Sequence, residues 1–237
     1  LSLLYYALPR DMFSSCAFKL IKNSLKALDE IAQKQFVIVQ NDPKSSALKI
    51  EKDAFLLGNY LLLHDRIKNF DCQIVGNQNT QTFDYEPVSD FLWRVLRFNL
   101  NFLKTMSDNN NANELPQIDC RQELEKCTSA TFQSLTNNVT NILFEKVSKI
   151  DNKTGKSEIL SLIQSCVASF DETIKNEVLN VIVNRIKSKN YRDAVVGVLK
   201  THLKQVIENV MKSLTDIDAQ TTIEFTKLLN KIDKLAI

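Results

Sequence analysis

The chain has 237 residues, 44% of them hydrophobic and 24% charged, which is enough to bury a core of its own. Lys and Arg total 30 against 28 Asp and Glu, a formal charge of +2 that gives no global field to draw nucleic acid or anionic lipid. Only four Gly and four Pro occur, which argues against hairpins, phosphate-cradling loops and any fold with many tight turns.

Leu1 to Ala7 reads as the end of an earlier helix, and Pro9 suits the start of a new one because its missing N–H would be unpaired in a first turn. Phe13, Cys16, Ala17, Leu20, Ile21, Ser24 and Leu28 follow at three-and-four spacing, an amphipathic helix. Gln35 to Ser46 reads as a loop, with a β-like run at Phe36–Val39 and turn residues at Asn41-Asp42-Pro43. Leu48 to Phe70 is a helix with apolar residues on most sides, and Leu62 is expected in its core. Its leucine-rich run, Phe55 to Leu63, is broken by Gly58 and Asn59 and falls short of the ~20 apolar residues of a membrane span.

A further helix is expected from Pro87 to Met106, carrying Phe91, Leu92, Val95 and Leu96. Ser107 to Pro116 is polar and asparagine-rich, and divides the chain into a first bundle at 1–106, a linker at 107–116 and a second bundle at 117–237. Beyond it, Leu124, Cys127, Leu135, Val139, Ile142 and Ile150 make one long helical stripe, with Leu135 in the core. Gly155 is expected to stop that helix in the left-handed conformation, and Ser157 to cap the next, whose stripe runs from Ile159 through Ile163, Phe170, Ile174, Val178 and Ile182 to Ile186. Asn190 is a candidate cap for a helix carrying Val195, Leu199, Leu203 and Ile207. Asp216 or Asp218 would cap a last one with Ile223, Phe225, Leu228 and Ile232. The pattern predicts an all-α fold of antiparallel bundles with helical content above about 65%.

Chemistry is sparse. His64 and His202 have no Glu or His at the four-residue spacing of a helical metal pair. The five cysteines, Cys16, Cys72, Cys120, Cys127 and Cys166, are odd in number and scattered, as in a protein of a reducing compartment. Cys120 and Cys127 lie two helical turns apart, too far for a chelating pair within one turn, and read as buried thiols. No nucleophile elbow, P-loop or dinucleotide-binding motif occurs, so no catalytic, cofactor or metal residue is assigned. The triplets at Asn138 and Asn152 read as chance matches to the glycosylation pattern. Lys187, Lys189 and Arg192 read as cations at the negative end of a helix dipole. The chain opens at Leu1 with no Met, so it reads as a fragment whose terminus says nothing of localisation.

Two stretches carry a resemblance: DAFLLGNYLLLHDRIKNF at Asp53 to Phe70 and CRQELEKCTSATFQSLTNNVTNILFEKV at Cys120 to Val147, with LPRDMFSSCAFKLI near the start as a weaker third. They resemble the C-terminal part of the third subunit of the conserved oligomeric Golgi (COG) complex. The resemblance implies an elongated rod of consecutive helical bundles with no enzyme activity. It also implies a place on the cytosolic face of Golgi membranes, as a peripheral protein, in a complex that captures vesicles for retrograde intra-Golgi traffic. Implied partners are the other subunits of the complex, with SNARE proteins, small GTPases and coiled-coil tethers as further candidates. A peripheral membrane-binding helical domain, a subunit of another helical-rod tether such as the exocyst, and an enzyme of unfamiliar type are the alternatives. Exposed apolar residues on the last helices, around Ile223 and Phe225, are the candidate partner contact, because a terminal helix has one uncovered side.

Overall fold

The computed structural model describes residue 7 and residues 10–37, 45–67, 120–145, 147, 150, 154–214 and 218–236. Of these, 91% are helical and none lies in a strand, so the fold is all-α. The helix expected at Pro87 to Met106, the linker at 107–116 and residues 38–44 lie outside the described residues.

Six helices are described. They are α1 (Arg10–Gln35), α2 (Ser45–Ile67), α3 (Cys120–Phe144), α4, α5 (Lys189–Ser213) and α6 (Ala219–Asp233). Helix α4 comprises an α-helical stretch Lys156–Thr173, a π-helical turn Ile174–Leu179 and a second α-helical stretch Asn180–Arg185.

The π turn has a cause in the spacing of the sequence. Phe170, Ile174, Val178, Ile182 and Ile186 recur every four residues, and all five are buried. In a helix of ~3.6 residues per turn, each four-residue step overshoots by about 40°, so four such steps would carry the stripe most of the way to the opposite face. The wider π turn takes up that drift and keeps every member of the stripe inside.

The termini follow local chemistry. Asp218 caps α6, its Oδ1 accepting from the Thr221 amide at 2.7 Å. Gly155 precedes α4 with φ −65 and ψ 142, an extended conformation rather than the expected left-handed one, and its carbonyl accepts from the amides of Glu158 and Ile159. Ser157 therefore lies inside the first turn of α4 instead of capping it. The cap of α5 is Ser188, not Asn190, because the chain turns extended at Ile186 and the Ser188 carbonyl already accepts from the Arg192 amide. Helix α3 ends at Phe144, earlier than the stripe to Ile150 suggests; Val147 and Ile150 are buried beyond the helix.

The chain forms two compact units, one of Leu1–Val37 with Phe55–Gln133 and the other of Ile38–Ala54 with Ser134–Ile237. Helices α2 and α3 each contribute residues to both. In the first unit α1 buries Phe13, Ala17, Ile21 and Leu25, α2 buries Leu56, Leu57, Tyr60 and Leu61, and α3 buries Leu124 and Phe132. Phe36, just past α1, packs its ring 5.8 Å from that of Phe55. Thr128, fully buried, donates its hydroxyl to the Leu124 carbonyl at 2.7 Å, which satisfies that donor inside its own helix.

In the second unit α6 packs against α4 and α5. Phe144, at the end of α3, stacks on Phe170 of α4 with centroids 6.3 Å apart. Beside them the Cys166 thiol donates to the Leu143 carbonyl at 3.3 Å. Helix α6 closes the unit with Phe225, Leu228 and Ile232, all fully buried. Lys231 ties it to α4, donating to the Val167 carbonyl at 2.8 Å and to Asp171 Oδ2 at 2.5 Å. Lys204 of α5 reaches Asp233 at 2.5 Å.

Candidate functional site

The first unit carries an apolar groove, and two of its exposed large hydrophobic residues, Ile31 and Leu62, line it. Ser24, Ala27, Leu28 and Ile31 of α1 face Asn59, Leu62, Leu63 and Arg66 of α2 across an open hollow of about 410 Å³. The sequence stripe of α1 is wider than its buried face, so its flank, Ser24 and Leu28, becomes a groove wall while Phe13, Ala17, Ile21 and Leu25 fill the core. Leu62, expected in the core, is 41% exposed on the other wall. Leu56, Leu57, Tyr60 and Leu61 already fill the inward face of α2, and Leu62 projects beside them.

The polar groups of this groove are spent on their own helices. Ser24 Oγ donates to the Leu20 carbonyl and Asn59 Nδ2 to the Phe55 carbonyl, each at 2.8 Å. What remains is hydrocarbon with the Arg66 guanidinium among it. The lining residues include no Asp, Glu, His or Cys to act on the Ser24 hydroxyl. Its chemistry suits contact with another apolar surface.

A second concentration of polar side chains lies in the second unit. Asp53 of α2, 7% exposed, accepts from Asn138 Nδ2 of α3 at 2.8 Å and hydrogen-bonds to Ser134. Burial raises its carboxyl above the usual range, outweighing those hydrogen bonds and the charge of Lys52. Two residues earlier on α2, about 200° around the helix, Glu51 pairs with Arg185 at the end of α4, whose Nε donates to Glu51 Oε1 at 3.1 Å. The Asn138 amide is thus already engaged inside the fold; Asn152 lies outside the described residues.

The histidines and cysteines are dispersed. His64 is half-buried on α2, and burial lowers His202 of α5 below the usual imidazole range. Cys16 is exposed on α1. Burial pushes the Cys127 thiol up, with Glu123 adding to the effect, and pushes Cys166 up to about 11. Tyr60 is pushed up to about 12 by burial, with smaller contributions from Cys127 and Asp29. Among the described residues no group of three His, Cys, Asp or Glu is placed to hold a metal ion.

The basic cluster is taken up at a helix end. Lys187 Nζ donates to the Asn184 carbonyl at 3.0 Å and Arg192 Nη1 to the Val183 carbonyl at 3.5 Å, so two of the three cations meet the last carbonyls of α4. Among the described residues no helix is long and apolar enough to cross a membrane.

The structure separates the two residues expected as a partner contact. Ile223 is 55% exposed on α6, whereas Phe225 is fully buried and belongs to the core of the second unit. A two-residue step on a helix turns about 200°, so both cannot face outward. Of the groove residues, Leu62 is the one the sequence places in the core, and Ile31 and Arg66 carry no such expectation; the signal that marks the groove is a stripe broader than one neighbouring helix can cover. No family model, curated protein or solved structure matches the chain.

Proposed function

We propose that the chain is a non-catalytic subunit of a multisubunit vesicle-tethering complex acting in retrograde intra-Golgi transport, a helical-rod scaffold at the cytosolic face of Golgi membranes. Its partners are the other subunits of that complex, with SNARE proteins, small GTPases and coiled-coil tethers as secondary ones. The observation that carries this reading is where the two resembling stretches fall: Asp53 to Phe70 covers most of α2, and Cys120 to Val147 covers α3, the two helices that each contribute to both compact units. The all-α fold, the near-neutral charge and the exposed apolar side chains of Ile31, Leu62 and Ile223 also support an interaction scaffold.

The test is purification of the tagged full-length protein from cells, with the bound proteins identified by mass spectrometry. Recovery of the other tethering subunits in near-equal amounts is the expected result. Recovery of none of them overturns the proposal. Flotation with vesicles containing anionic lipid, in the absence of any protein partner, would favour a membrane-binding domain instead.

A further inference from the structure

We propose that the first half of α2 is held in the second unit by a polar clasp, Glu51–Arg185 with Asp53–Asn138, and that this clasp is a salt-sensitive seam at which the unit opens locally. The observation behind it is a change of chemistry along one helix. From Phe55 to Ile67, α2 buries Leu56, Leu57, Tyr60, Leu61 and Ile67. From Ser45 to Ala54 its buried apolar residues are Ile50 and Ala54, and beside them it buries the polar Ser45 and Asp53.

The clasp joins three helices. Arg185, the last residue of α4, directs Nε and a second guanidinium nitrogen at Glu51 Oε1. Both side chains remain about a third open to water, 28% for Arg185 and 33% for Glu51, so dissolved ions reach and screen the pair. Asp53 is more deeply placed, and its hydrogen-bond partners, Asn138 and Ser134 of α3, are neutral. The cation acting on it is Lys52, its neighbour on the same helix. Such contacts exchange bonds to water for bonds within the protein, and a carboxylate buried among neutral donors retains part of its desolvation cost. Apolar burial has no matching penalty. The remainder of the unit has an apolar centre, the Phe144–Phe170 stack and the Phe225, Leu228 and Ile232 face of α6, with the Lys231–Asp171 and Lys204–Asp233 pairs at its more open edge. Opening at the clasp therefore uncovers Ile50 and the Asn138 side of α3 and leaves that aromatic core intact.

Hydrogen–deuterium exchange on the full chain tests this, comparing amides 49–54 with amides 57–63 so that the unbonded first turn of α2 is left out. Amides 49–54 are expected to exchange at least about 10-fold faster, with the gap widening as NaCl is raised from about 0.05 to about 0.5 M. Arg185→Met should speed exchange at 49–54 and leave residues 225–232 unchanged. Asp53→Asn keeps an acceptor for Asn138 while removing the buried charge, and should slow exchange at 49–54; it keeps the test open if Arg185→Met does not fold. Equal protection in both halves, indifference to salt, or faster opening in Asp53→Asn overturns the proposal.

Discussion

Asn138 donates its side-chain amide to Asp53 Oδ2 at 2.8 Å, joining α3 to α2 across 85 residues of sequence. The pair defines a buried polar contact in a fold whose other interhelical contacts are chiefly apolar. Removing the donor leaves the carboxylate buried with less support, so Asn138→Ala should cost about 1–3 kcal/mol. Asp53→Asn should be neutral or stabilising at pH 7. Chemical denaturation of the two variants checks this, and a more destabilised Asp53→Asn would contradict it.

The same carboxylate gives a pH dependence with a definite sign. Burial raises Asp53 above its ordinary value of 3.8, so folding favours the protonated form. The stability this confers is complete below the ordinary value and is lost as pH rises through the raised one. Asp218 and Asp233 are shifted the other way by their hydrogen bonds to Thr221 and Lys204, so their contribution is present at higher pH and lost as pH falls. The difference in melting temperature between wild type and Asp53→Asn isolates the first effect. It should move against the wild type as pH climbs from about 4 toward neutrality. A difference that does not change with pH would show that Asp53 is not desolvated.

Much of this fold is legible in the residue pattern, because three-and-four apolar spacing specifies a helix and its inward face together. The stripe from Ile159 to Ile186 and the capping role of Asp218 are readable in that way. The cap of α4 is less so, since it depends on a backbone carbonyl of Gly155 and not on a side chain. The π turn is implied by the run of fours but appears only when the stripe is followed around the helix. The groove is harder still. Whether Leu62 or Leu61 faces the core depends on which neighbours fill the inward side first, a property of packing that one helix does not carry. The Glu51–Arg185 pair joins residues 134 apart, and nothing local marks either as the other's partner.

Leu135 and Leu62, alike in the sequence, should respond differently to charge. Leu135 is fully buried, so Leu135→Asp should cost several kcal/mol, with the lost burial alone amounting to about 1.5–3 kcal/mol. Leu62→Asp places its carboxylate in an open groove near Arg66 and should change stability by less than about 1 kcal/mol. Thermal melts of both variants make the comparison, and equal losses would place Leu62 in the core after all.

Ile223 and Phe225 of α6 form a second contrast. Phe225→Ala empties a fully buried site and should cost about 3–5 kcal/mol. Ile223→Asp, on the exposed side, should stay within about 0.5 kcal/mol of the wild type. Partner binding can therefore be tested cleanly at Ile223, whereas loss of binding in a Phe225 variant would report unfolding. Circular-dichroism melts run before any binding assay check the distinction, and a large loss at Ile223 would show that its side is covered.

Thiol reactivity should rank by burial. A thiolate is the attacking species, so a thiol that burial pushes up to about 11, as at Cys166, is both shielded and almost wholly protonated at pH 8. Its hydrogen bond to the Leu143 carbonyl holds it further in place. Cys127 is half-buried, and its thiol is raised by burial and by Glu123. Cys16 stands exposed on α1. Alkylation followed peptide by peptide in the mass spectrometer should therefore label Cys16 first, Cys127 more slowly and Cys166 only on the timescale of unfolding. Adding denaturant should bring the three rates together, because the ranking is a property of the fold and not of the thiols. Early labelling of Cys166 in the native protein would mean that the α3–α4 contact opens readily, and the Phe144–Phe170 stack beside it would then not be a fixed part of the core.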